Sequence, residues 1–137
     1  MSSISAGVLG GGAGLGGTIA IGVTVDGQGS AILPGVTSVG VEIPFDALIR
    51  SNVLLADRIG SIVFDVWKGP YAAYPLSGAN SIVGVDPPTI SGDIKSQDTT
   101  LSGWTVMISA GEVVQFHITS ASAIQVCSLT MPLTKLS

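Results

Sequence analysis

Apolar residues fall at every second position through much of this chain, which is the period of a half-buried β-strand and not that of a helix. Ile19, Ile21, Val23 and Val25 share one face of residues 18–25, and Asp26-Gly27 follows as a turn signal. A short run at 30–33 ends at Pro34-Gly35. Val39, Val41, Ile43 and Phe45 then share a face, with Glu42 opposite. Residues 48–56 read as a longer strand with Ile49, Val53 and Leu55 inward and Arg50 and Asn52 outward. In 61–68 the inward set is Ile62, Phe64 and Val66, because Asp65 between them cannot sit unpaired in a core.

The pattern then lapses. Residues 69–95 carry Pro70, Pro75, Pro87 and Pro88, which exclude a central strand there; a helical turn near 79–83 is the only element expected. So long a connection in a small domain tends to be functional or to pack on a partner. Alternation resumes at 103–108. It continues at 113–118 with Val114, Phe116 and Ile118 inward, and at 123–133 with Gln125, Cys127, Leu129, Met131 and Leu133 on one side. Seven or eight short strands separated by turns predict an all-β fold, an antiparallel β-sandwich or barrel with one core. The expected division is a Gly-rich extended arm at 1–17 and a β-sandwich domain at 18–137. The arm, with few large side chains, is expected to order against a neighbouring subunit, and Gly7, Val8, Leu9 and Leu15 are its candidate contacts.

Charge changes this picture more than length does. Only 10% of the 137 residues are charged, against about a quarter in a typical soluble domain. A surface so poor in charge suits a protein whose faces are covered by partners, and at least a homodimer is expected, with a trimer the other possibility. Arg50, Arg58, Lys68, Lys95 and Lys135 are scattered and the net charge is −4, so no nucleic-acid surface is expected. The uncharged stretch from Met1 to Val25 lacks the positive start of a signal peptide, and its glycines make a poor spanning helix. No membrane partner is expected.

Candidate chemistry is sparse. Gly12-Ala13-Gly14-Leu15-Gly16-Gly17 matches G-x-G-x-x-G, but a β-patterned segment follows where a helix is required, so no nucleotide cofactor is expected. Cys127 sits in an alternating run and reads as a small buried hydrophobe. His117 is the only histidine, the nine acids are dispersed without an Asp-x-Asp loop, and no metal site is expected. No serine elbow precedes a helix, so the chain is not expected to be an enzyme; carboxylates meeting only in three dimensions stay open. The aromatics Trp67, Tyr71, Tyr74 and Trp104 remain: as plugs at one end of the sandwich, as anchors of a protein interface, or as a platform for sugar.

The segments Glu42-Ile43-Pro44-Phe45, Leu54-Leu55-Ala56-Asp57 and Gly60-Ser61-Ile62-Val63-Phe64-Asp65-Val66-Trp67-Lys68 resemble a β-sandwich module of tailed-phage virion proteins. So do Ser96-Gln97-Asp98-Thr99-Thr100-Leu101-Ser102-Gly103-Trp104 and Ile108-Ser109-Ala110-Gly111-Glu112. The resemblance covers about residues 41–133 and is closest to capsid decoration, or cement, proteins. It implies a jelly-roll-like fold without a catalytic role, made in the host cytoplasm and placed on the capsid surface, where it binds the major capsid protein. The alternative within the resemblance is a receptor- or carbohydrate-binding tail-fibre or tail-tip domain. A small glycan-processing enzyme is a third possibility, which no motif supports.

Overall fold

The structure, a computed structural model, describes residues 2–9 and 17–136. Among the described residues, nine antiparallel strands form one continuous sheet that folds back on itself as a sandwich: β1 (Ser3–Leu9), β2 (Thr18–Asp26), β3 (Val41–Ile43), β4 (Ala47–Ile49), β5 (Asn52–Pro70), β6 (Thr89–Asp98), β7 (Met107–Ile108), β8 (Glu112–Ser122) and β9 (Val126–Lys135). The main path runs β1-β2-β9-β5-β8-β3, with β6 beside β5, β4 beside β9, and β7 beside β4. Among the described residues the only helical pieces are two 3-10 turns, Tyr71–Ala73 and Gly78–Asn80.

One strand belongs to both layers. The first part of β5 pairs with β9, up to Ala56 opposite Cys127, and the second part pairs with β8 from Ser61 opposite Ser122 onward. At the handover, Ala56–Ile59 stand against the single residue Ile94 of β6, since Leu55 faces Lys95 and Gly60 faces Asp93. A bulge of this size bends the strand sharply. Gly60 makes the bend possible: a Cβ there would lie 2.5 Å from the Ser122 carbonyl oxygen and 2.8 Å from Ile124 Cγ1. Asp57 fastens the same corner. Its Oδ1 accepts hydrogen bonds from the Gln125 and Val126 amides at 3.1 and 3.0 Å, and its Oδ2 pairs with Arg58 Nε at 2.9 Å. The Val126 N–H is the largest influence on its carboxyl and holds it below its usual 3.8, against a smaller opposing effect of desolvation.

The core joins side chains from both layers. Ile21, Val23, Leu54, Leu129 and Met131 come from one, Phe64, Val66, Phe116 and Ile118 from the other, all nearly or wholly buried. The inward residues expected in β2, 61–68, 113–118 and β9 are therefore buried, although in β8 Val113 and Gln115 on the other face are buried as well. Three expectations differ. In 48–56 the alternation is not continuous: it breaks between β4 and β5, at Arg50 and Ser51. Leu54 and Asn52 therefore turn inward, and Leu55, expected in the core, is 55% exposed. A shift of one residue exchanges the faces of a strand. Val53 is correspondingly only half-buried, Phe45 is half-buried with Lys135 Nζ over its ring at 5.4 Å, and Val39 is 71% exposed.

Secondly, β6 occupies part of the stretch expected to be irregular. It is an edge strand almost wholly exposed on both faces, so it carries no hydrophobic period to read. By contrast, the runs at 30–33 and 103–108 yield only a buried Ile32, whose N–H bonds the Ile124 carbonyl, and the two-residue β7. Thirdly, the segment expected as an extended arm on a neighbouring subunit is partly built into this chain's own sheet. Ser3–Leu9 pairs along its whole length with β2, from Ser3 opposite Asp26 to Leu9 opposite Ala20. Ile4 and Ala6 pack against the core, and β1 extends the sheet by one strand beyond its neighbour β2. Leu15 lies outside the described residues.

Two measurements test this arrangement. Leu54→Ala should cost about 2–5 kcal/mol in urea unfolding, whereas Leu55→Ala one residue later should stay within about 0.5 kcal/mol. Equal losses would contradict the inverted register. The stability that Asp57 contributes is present above its unfolded value of 3.8 and is lost as pH falls through its lower folded value. The difference in urea midpoint between the wild type and Asp57→Asn should accordingly shrink under acid and be constant near neutrality.

Candidate functional site

The long connection after β5 does not hang free. Leu76, Ile82 and Val83 are buried, the last two in the main core, and the Leu76 N–H reaches Gln115 of β8. Gln115, on the face opposite Val114 and Phe116, is 4% exposed. Its Oε1 accepts from the Leu76 N–H at 2.8 Å and its Nε2 donates to the Ser38 carbonyl at 2.9 Å. Both ends of the amide are satisfied, so a buried polar side chain acts as a fastener.

This connection sorts the four aromatics. Trp67 is buried: its ring stacks on His117 with centroids 4.7 Å apart, and its Nε1 donates to Asp65 Oδ2 at 2.9 Å. Asp65 Oδ1 also accepts from Ser81 Oγ at 2.6 Å, which gives the strand carboxylate its partners. His117 Nδ1 meets Thr37 Oγ1 at 2.7 Å. Trp104 is 9% exposed and its Nε1 donates to the Asp86 carbonyl at 2.8 Å. As placed, both indoles are interior and neither offers a ring to a partner.

Tyr71 and Tyr74 are different. Both lie on the 3-10 turn that begins the connection, and they are 77% and 40% exposed. They line a cleft of about 430 Å3 with Gly40, Glu42 and Val113. Tyr74 is held in place, because its hydroxyl accepts from the Gly40 N–H at 3.2 Å. Gly40 permits that approach: a Cβ there would lie 2.6 Å from the tyrosine ring. The cleft thus offers one exposed ring, one ring held by a hydrogen bond and the exposed Glu42 carboxylate, beside exposed Val39.

Of the arm candidates, Gly7 and Val8 lie on β1, on opposite faces. Gly7, exposed, stands in a row with Gly22, Thr130, Val53 and Gln97 across β1, β2, β9, β5 and β6. With Ser5, Thr24 and Ser128 of the next row it lines a shallow hollow of about 220 Å3 floored by small side chains. Val8 is 39% exposed at the edge of the core. Leu9 ends the strand. The structure therefore separates the expected contacts: Gly7 and Val8 at one edge of the sandwich, Tyr71 and Tyr74 beside β3.

Chemistry-bearing groups missed in sequence meet in a third place. Asp86 and Asp98 lie together in a polar cleft of about 480 Å3 that is also lined by Asn52, Ser96, Thr100 and Ser102. Asp98 Oδ1 accepts from the Thr100 and Leu101 amides at 2.9 and 3.2 Å. Its hydrogen bond to Asp86 raises the Asp86 pKa. Burial pushes Asp98 itself up, but the Thr100 N–H, Asp86 and the Leu101 N–H outweigh it and hold Asp98 low. Twelve positions separate the two acids, so no short motif announces them. Elsewhere, Cys127 is wholly buried, and desolvation, then the Asp57 charge, push its thiol up to about 12. That is the opposite of what a reactive thiol needs.

No family model and no curated protein matches the chain. Among solved structures it is similar to the N-terminal cellulose-binding domain of β-1,4-glucanase C from Cellulomonas fimi, at 15% identity over 88% of this chain and 76% of that one, with a TM-score of 0.28. A structure described as "CBM4 structure and function" is similar at 13% identity over 84% and 77%, with a TM-score of 0.27. RmlC from Streptococcus suis in complex with dTDP-D-xylose is similar at 8% over 90% and 66%, with a TM-score of 0.24. Likenesses at this level carry nothing about ligand or activity, and the chain's fold rests on its own strands and their pairing: an antiparallel, sandwich-like all-β domain.

Proposed function

We propose that the chain is a non-enzymatic structural domain of a virus particle, bound to the outside of the capsid, where it bridges neighbouring major capsid subunits. The observation that carries this is the distribution of exposed apolar side chains. Eleven large ones are exposed among the described residues, on a chain with only fourteen formally charged side chains. They do not form one patch. Leu55 and Ile59 stand at the β5 corner with Ile94 of β6 opposite; Tyr71 and Tyr74 lie just past the far end of the same 19-residue strand; Leu33 and Val39 precede β3. A binder of one small ligand needs one such face, whereas a protein in a lattice has neighbours on several sides. The sequence resemblance to decoration proteins points the same way.

Contacts of this kind need not be strong singly. A domain held at two points gains from the effective concentration that the first contact creates, and binding only the assembled shell stabilises that shell by mass action. Edge strand β1 offers a further contact, because on its outer side it has no paired strand among the described residues and carries neither charge nor proline.

One observation favours a second role, a receptor- or carbohydrate-binding tip. The 77%-exposed Tyr71 stands in a cleft with Glu42, an arrangement that gives a stacking ring beside a hydroxyl acceptor.

The two roles separate experimentally through two variants, one at the mid-strand corner of β5 and one just past its end. Tyr71→Ser and Ile59→Ser are both exposed and should leave the urea midpoint unchanged. On particles stripped of the chain, each should weaken re-binding about tenfold, a loss of about 1.4 kcal/mol, and both together should lose more. Normal re-binding by Ile59→Ser, together with loss of saccharide binding by Tyr71→Ser alone, would replace the capsid role with the tip role.

A further inference from the structure

We propose that the cleft between the start of β5, the end of β6 and the turn at 85–88 is a binding site for a hard divalent cation of the Ca2+ type, with Asp86, Asp98 and Asn52 as its ligands. The site stands apart from the surfaces assigned above and does not depend on them.

Its geometry follows from the register. Asn52 lies directly opposite Asp98 in the β5–β6 ladder, so the two side chains leave the sheet on the same side. Asp86, from the turn packed over that side, brings the second carboxylate to the first. No lysine or arginine lines the cleft. Two ionised carboxylates in contact repel each other unless a proton or a cation lies between them.

Asn52 is the independent observation. It is 1% exposed, lines the cleft, and no hydrogen bond reaches its Nδ2. Buried amides are almost always paired, and one that is not calls for a missing partner. An amide's oxygen and nitrogen exchange places by a half-turn about the terminal torsion, which presents Oδ1 as the ligand atom. The donor set is then two carboxylates, an amide oxygen and the hydroxyls of Thr100 and Ser102, all oxygen. Oxygen-only sets select hard cations, and an irregular set on strands and turns suits Ca2+ better than the strict octahedron of Mg2+.

Among the described residues no group of three or more His, Cys, Asp or Glu side chains gathers in one place. With only two carboxylates, affinity belongs in the weak class of extracellular Ca2+ modules, about 10⁻⁴–10⁻³ M. Occupancy would tie the turns before and after β6, which carry Asp86 and Thr100, to the edge of the sheet.

The test is thermal unfolding of the full chain, after chelator treatment, in CaCl2, MgCl2 and NaCl at matched ionic strength. Ca2+ should raise Tm in a saturable way, with a half-effect in the millimolar range or just below, and more than Mg2+ does. Asp86→Asn should fold and lose the response. Asn52→Asp supplies a third carboxylate: it should lower Tm without Ca2+ and bind Ca2+ about tenfold more tightly, an effect a purely structural amide would not show. A Ca2+ shift no larger than that of NaCl, or one that survives Asp86→Asn, would overturn the proposal. Stabilisation by a saccharide with no Ca2+ response would overturn it too and assign the cleft to a polyol.

Discussion

The sandwich depends on one strand bending through one corner. β5 begins in the layer of β9 and ends in the layer of β8, and its two halves supply Leu54 to one side of the core and Phe64 and Val66 to the other. The corner works because Gly60 leaves room for the Ser122 carbonyl and because Asp57 satisfies two amides of the connection between β8 and β9. An extra side chain or a lost carboxylate there would act on both layers at once. Elsewhere in the fold, a fault in an edge strand such as β6 or β1 touches one partner only.

The corner also explains what the sequence discloses and what it hides. Where a strand buries one face, alternation is a direct record of burial, and β2 and β9 are legible residue by residue; β8 is not, because Val113 and Gln115 on its other face are buried too, the latter under Leu76. Residues 48–56 mislead because two strands meet there. Ile49 is inward on β4, and counting on by twos puts Val53 and Leu55 inside; the break at Arg50-Ser51 resets the phase and buries Asn52 and Leu54 instead. β6 leaves no trace because neither of its faces is buried for most of its length, so nothing selects an apolar period. β1 is hidden for another reason: its residues are small, and glycine next to it reads as a flexible arm until the pairing with β2 is seen.

Site residues follow the same division. Aromatic residues announce themselves in a sequence this poor in rings, but their type does not say which are interior. Trp67 and Trp104 find partners for their N–H groups inside the domain, in Asp65 and in the Asp86 carbonyl, whereas Tyr71 is left on the surface by the turn that carries it. The Asp86–Asp98–Asn52 grouping is invisible in one dimension, because it is created by cross-strand register and by the turn between 85 and 88. What emerges is a domain with a well-fastened interior and an exterior that is poor in charge and studded with exposed apolar side chains.

The most direct measurement of the proposed capsid role is the stoichiometry of the chain in purified particles, determined by quantitative mass spectrometry against the major capsid protein. A capsid-bound bridging domain predicts a fixed ratio to the capsid subunit, retained after the tails are removed. A handful of copies that leave with the tails, or no copies at all, would contradict it.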